Sequence, residues 1–207
     1  MANIVAPQGF QPVRGINTYQ GQVNVYFIPS TDGLVYSIGD MVKSVANGDP
    51  NGIPAVQKST GASGEFQRGV IVGVLPVQAV GTPSLIGVPL TLENINIPAT
   101  KTRGYYVTVA DDPNQLFEIQ DDGTAALTAT SCNKNATFSA VNPTSPLQIS
   151  ASVLNASTVA TTAAFPLKMM GLSQRVAPVG GNQFGTFAKW IVKINNHELC
   201  GASVAGV

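Results

Sequence analysis

Apolar residues recur along this chain in short runs broken by Gly, Pro, Asn and Asp, and the runs have the character of strands. From Val23 to Ile28 the order Val, Asn, Val, Tyr, Phe, Ile is rich in β-branched and aromatic residues and stops at Pro29. Thr31-Asp32-Gly33 then reads as a turn. The segment Leu34 to Val45 carries Gly39-Asp40, which seats a tight turn or bulge before Met41-Val42-Lys43-Ser44-Val45. A loop from Asn47 to Pro54 leads to the short run Ala55 to Lys58, and a Gly/Ser loop follows through Gly64. In Arg68 to Pro76 the apolar positions are continuous rather than alternating, which implies burial on both faces. Strands are also expected over Tyr105 to Val109, Leu116 to Gln120, Leu167 to Leu172 and Ala188 to Ile194. In the last of these Trp190, Val192 and Ile194 share one face while Lys189, Ile191 and Lys193 share the other, the period of a half-buried strand.

No window of a dozen residues combines helical periodicity with caps, so the expected fold class is all-β: a compact β-barrel, jelly roll or β-sandwich. The first 22 residues differ. Pro7, Gly9, Pro12, Gly15 and Gly21 among Asn and Gln exclude a helix and lack strand alternation, which predicts an extended N-terminal arm over residues 1–22. Ile4, Val5, Phe10, Val13 and Ile16 are too apolar for a free tail, so the arm lies on something, either its own domain or a neighbouring subunit. Residues 23–207 form the β-rich domain, either as one unit or as two subdomains of about 23–85 and 86–207. The stretch Gly123 to Pro166 is rich in Ala, Thr, Ser and Asn, with Lys134 its only charged residue. Such strands are weakly specified alone, and an interface is favoured there over a plain solvent-facing β-region.

Composition narrows the function. Charged residues are 11% of the chain and balance to a formal net charge of zero, so no cluster of cations marks a phosphate-binding surface, and nucleic acid is not an expected partner. Hydrophobic residues at 44% exclude disorder. A near-neutral surface rich in small polar residues has little colloidal repulsion and suits a place within an assembly. No stretch approaches the roughly 18 uninterrupted apolar residues of a membrane span. The opening MANIVAPQGFQPVRG has no basic segment followed by an apolar run, so synthesis in a reducing cytoplasm is expected.

Candidate chemistry is sparse. The one histidine, His197, follows a strand end in Asn195-Asn196-His197-Glu198, where a surface turn explains it better than a catalytic base. No nucleophile elbow, phosphate loop or dinucleotide fingerprint is present. Asp111-Asp112 and Asp121-Asp122 flank a strand containing Glu118. Carboxylates so clustered could hold calcium, but Asp112-Pro113-Asn114 and Asp121-Asp122-Gly123 are also what β-turns require, and the turn reading is preferred. Cys132 and Cys200 lack zinc-site spacing and are expected to be buried, inert thiols, with a disulfide left open. No cofactor and no catalytic residue is expected.

Three segments carry a likeness. Met1-Ala2-Asn3 with Gly9-Phe10-Gln11-Pro12-Val13-Arg14, the run Tyr105 to Pro113 continued by Leu116 to Gly123, and the end Ala188 to His197 resemble a family of tailed-bacteriophage virion proteins, often small capsid-associated ones. The similarity spans most of the chain. Gly39-Asp40-Met41-Val42 and Gly69-Val70-Ile71-Val72-Gly73-Val74 are also similar to a degenerate element of head-decoration proteins. The resemblance implies a non-enzymatic protein of the virion that binds the major capsid protein, cements neighbouring capsid subunits against internal DNA pressure, and forms a homo-oligomer, dimer or trimer. It makes Ile4, Val5, Phe10, Val13, Arg14 and Ile16 the expected contacts of the arm with the capsid or a neighbouring subunit. A tail or head-to-tail connector protein is the alternative within virion proteins. A carbohydrate-binding module would place aromatics on loops, whereas here they fall mostly within strand-like runs.

Overall fold

The computed structural model describes residues 3–13, 21–75, 96–143, 148–174 and 181–200, and the chain is all-β across them. The strands are β1 (Gln11–Pro12), β2 (Asn24–Ile28), β3 (Tyr36–Ser37), β4 (Met41–Gly48), β5 (Pro54–Lys58), β6 (Gly69–Leu75), β7 (Asn96–Ile97), β8 (Tyr105–Ala110), β9 (Leu116–Gln120), β10 (Asn135–Ala136), β11 (Phe138–Ser139), β12 (Val153–Leu154), β13 (Leu167–Leu172) and β14 (Lys189–Ile194). The described helical segments are two 3-10 turns, Ala129–Ser131 and Ala156–Thr158.

Five of these strands close a barrel in the order β2-β5-β4-β6-β8. Closure removes the unpaired edges that an open sheet would present. The β2–β5 pairing that shuts it is parallel, with Phe27 opposite Ala55, and the other contacts are antiparallel. Tyr26, Ile28, Val42, Val56, Ile71, Val74, Val107 and Val109 fill the interior, with Tyr36 and Ile97 of the small β3–β7 ribbon beside them. The second half is a five-stranded antiparallel sheet, β1-β9-β14-β13-β10. In register Trp190 lies opposite Ile119 and Val192 opposite Phe117. Together with Ile194, Leu167 and Met169 they form the inner face, against which Leu127, Ala136, Phe138, Leu154 and Ala156 of the Ala/Thr/Ser-rich segment pack.

The two cores meet at β6. Ile71 and Val74 point into the barrel, whereas Val70 and the half-buried Val72 join the second core, which explains the unbroken apolar run. Along the described chain, residues 111–115 lead from barrel strand β8 to sheet strand β9. Strands β7 and β8 belong with the first half, because β8 pairs with both β2 and β6. The Gly39-Asp40 turn forms as the sequence predicts, with the Asp40 N–H donating to Ser37 O and Gly39 at φ +92°.

The Gly/Ser loop after β5 is organised by Glu65. Its carboxylate accepts from Lys43 Nζ at 2.5 Å, Ser59 Oγ at 2.8 Å and the N–H groups of Thr60 and Gly61 at 3.0 and 2.9 Å. Burial by itself would push this carboxyl up; the donors from Lys43, Ser59 and Thr60 outweigh it and bring it down from 4.5 to about 2. A depressed carboxyl adds stability that is present above its unfolded value and lost as pH falls through the folded one. Acidification from about pH 4.5 to 2 is therefore expected to cost about 2 kcal/mol through this group, after discounting for its partial exposure. Urea midpoints measured across that range should fall less steeply in Glu65→Gln than in the native chain.

Candidate interaction surface

The N-terminal arm is clamped to its own body. Asn3 Nδ2 donates to Gln183 O and Thr186 O at 2.9 and 3.0 Å, and its Oδ1 accepts from the Gln183 N–H. Gln120, at the end of β9, accepts from the Ala6 N–H at 2.8 Å and donates to Ile4 O and Phe187 O, each at 2.8 Å. Gly9, at φ +63°, lies so close to Ser150 and Gly39 O that a Cβ there would meet them at 2.5 and 2.6 Å, so only glycine fits. The Phe10 N–H then donates to Gly39 O, and β1 joins the sheet edge with Gln11 opposite Glu118.

This path divides the expected arm contacts. Phe10 is 1% exposed and stacks edge-on against Phe138 and Phe117, with centroids 5.0 and 6.4 Å away. It is a core residue, unable to reach a neighbour while the arm stays in place. Val13 is half-buried, its N–H donating to Leu116 O. Ile4 and Val5 are the exposed pair, at 72% and 60%, and the Asn3 clamp sets them at the corner carrying Phe184, 47% exposed and 5.9 Å from the Trp190 ring. Arg14 and Ile16 lie outside the described residues.

Beside the arm, the outer face of the sheet forms an open groove of about 610 Å³ floored by Glu118 and Ile191 and walled by Pro12 and Val13 on one side and Leu172 to Gln174 on the other. The Glu118 carboxylate accepts from Ser173 Oγ. Lys189 and Lys193 stand on this face, with Lys193 Nζ donating to Asn114 Oδ1. Glu118 shares this face with the two half-buried lysines, and buried charges of both signs, Asp40, Asp49, Asp111 and Asp121 with Lys58 and Lys101, lie elsewhere in the fold.

The remaining candidate groups have structural partners. Asp111 accepts from Tyr26 OH at 2.6 Å and from Asn24 Nδ2, and Arg68 lies 3.7 Å away. Asp112 accepts from the Asn114 N–H, and Asp122 from the Thr124 and Ala156 N–H groups. Asp121 receives the N–H groups of Gly123, Phe187 and Ala188 and the indole of Trp190. The bonds from Asn114, Gly123 and Thr124 are the side-chain-to-backbone bonds of turns, while those from Tyr26, Asn24, Ala156, Phe187, Ala188 and Trp190 reach across the fold. Among the described residues no three His, Cys, Asp or Glu side chains gather as a metal site would need.

His197 opens a turn whose Leu199 and Cys200 are exposed, as a surface turn requires, but the His197 side chain itself is buried. Its Nδ1 accepts from the Leu199 N–H, and burial first, with Arg68 second, pushes its pKa down. Neither described thiol is in a disulfide, and Cys200 is exposed where a buried thiol was expected. Sequence reading passed over Gln120 and the buried Lys58 and Asp40, because a polar side chain inside a strand pattern gives no sign of whether a partner awaits it. Among the described residues no helix is long and apolar enough to cross a membrane. No family model, curated protein or solved structure matches the chain.

Proposed function

We propose that this chain is a structural protein of a tailed-bacteriophage particle, seated on the outer capsid surface, where it bridges neighbouring major capsid subunits and adds contact area at their joints. The observation that carries the reading on the structural side is that Ile4, Val5 and Phe184 are large apolar side chains left exposed on two segments that the hydrogen bonds of Asn3 tie together. Exposed apolar side chains on a fixed backbone cost little backbone ordering entropy when a partner covers them, which favours docking. The resemblance of the three sequence segments to virion proteins supplies the partner. Assembly as a dimer or trimer on the shell belongs to the same reading.

Reconstruction of the intact particle by electron microscopy tests it. The expected result is density for this chain over symmetry-related joints of the outer shell, with Ile4 and Val5 against another subunit. Density confined to the unique vertex or tail would overturn the capsid role and favour a connector protein.

A further inference from the structure

At the joint between barrel and sheet one lysine touches both an aspartate and an asparagine. Lys58 ends β5, and its side chain is 6% exposed. Its Nζ lies 2.9 Å from Oδ2 of Asp40, whose side chain is fully buried, and 3.0 Å from Oδ1 of Asn142, in the loop that follows β11. Val35 O lies 3.4 Å from the same nitrogen. Asp40 is fixed in turn by the Ser37 N–H at 2.9 Å and approached by Ser152 Oγ at 3.5 Å.

We propose that this triad is an autocatalytic cross-linking site, at which Lys58 and Asn142 join through an isopeptide bond with Asp40 as proton carrier. Because the carbonyl bond is about 1.2 Å long, the contact to Oδ1 sets the amine within about 4.2 Å of the Asn142 carbonyl carbon, a short movement from attack. Asp40 takes a proton from the Lys58 ammonium across the 2.9 Å contact, leaving a neutral amine whose lone pair attacks Asn142 Cγ. The tetrahedral oxyanion is neutralised by the proton on Asp40. Collapse breaks the Cγ–Nδ2 bond, the nitrogen leaves as ammonia carrying a proton from the former amine, the hydroxyl proton returns to Asp40, and a neutral Nζ–Cγ amide remains. Bonds and charges balance without oxidant, reductant or cofactor. Lys58 and Asp40 are buried while Asn142 stands at the surface, so the amine approaches the carboxamide from the protein side.

The product ties the end of barrel strand β5 to the sheet half of the molecule across a separation of 84 residues. A link of that span constrains the unfolded chain as any covalent cross-link does, and it resists pulling apart of the two halves.

Denaturing mass spectrometry of the purified, folded full chain reads the reaction directly. The native chain is expected to be about 17 Da lighter than its sequence mass, the loss of one ammonia, and its digest to contain a branched peptide joining Lys58 to Asn142. Lys58→Arg keeps a cation beside Asp40 but cannot form the amide, and it should restore the full mass, as should Asn142→Ala. A folded native chain at full sequence mass overturns the proposal. A loss of ammonia that persists in Asn142→Ala also overturns it, since it would then come from succinimide formation at Asn47-Gly48 or Asn51-Gly52.

Discussion

Phe10→Ala is expected to destabilise the fold by about 3–5 kcal/mol, although residue 10 lies in the Pro- and Gly-rich arm outside the expected β-rich domain. The ring fills a slot between Phe117 of β9 and Phe138 of β11, and it belongs to the cluster with Met41 and Val70 where barrel and sheet meet. Its removal leaves a cavity that cannot close, because β1 and the Phe10–Gly39 hydrogen bond hold the surrounding backbone in place. Urea denaturation of the variant should show the lower midpoint. The paired control, Ile4→Ala with Val5→Ala, should change stability by less than about 0.5 kcal/mol, since both side chains are mostly exposed. If both variants unfolded at the native midpoint, the arm would not be a working part of the core.

Asp121→Ala is expected to cost on the order of 4 kcal/mol. One carboxylate satisfies three backbone N–H groups, at 2.9, 2.7 and 2.9 Å, and the Trp190 indole at 3.3 Å, so its loss orphans four donors beside the core. Asp112→Ala, which removes an exposed acceptor from the Asn114 N–H, should cost less than about 1 kcal/mol by the same measurement. Equal losses would mean that water replaces the buried carboxylate without penalty. Asp121 and Glu65 respond to pH in opposite directions. Burial, opposed by the four donors, leaves the Asp121 carboxyl above its usual value. The folded state therefore holds that proton more tightly than the unfolded chain, and the stability it adds is present at low pH and lost as pH rises through the folded value. This partly offsets the Glu65 contribution on acidification.

The local pattern of residues was enough to determine which segments extend and which face of each is apolar. Alternation in Lys189 to Ile194, the continuous run of β6, the Gly39-Asp40 turn and the Asp-rich turns after β8 and β9 all follow from properties of neighbouring residues, and each is where its chemistry places it. Pairing partners are a different matter. Barrel closure by parallel β2 and β5, recruitment of β8 into the first half and the two-residue strands of the Ala/Thr/Ser-rich segment depend on contacts distant in sequence, and a strand of two residues is too short to show a period. Burial of Phe10 was undecided for the same reason: an aromatic in an arm fits its own core or a neighbour's equally well until the cavity that receives it exists. Polar groups were the least legible. Lys58, Asp40, Glu118 and Asp121 carry residue types that belong at the surface, and only a folded chain that supplies each with a partner can take them inside.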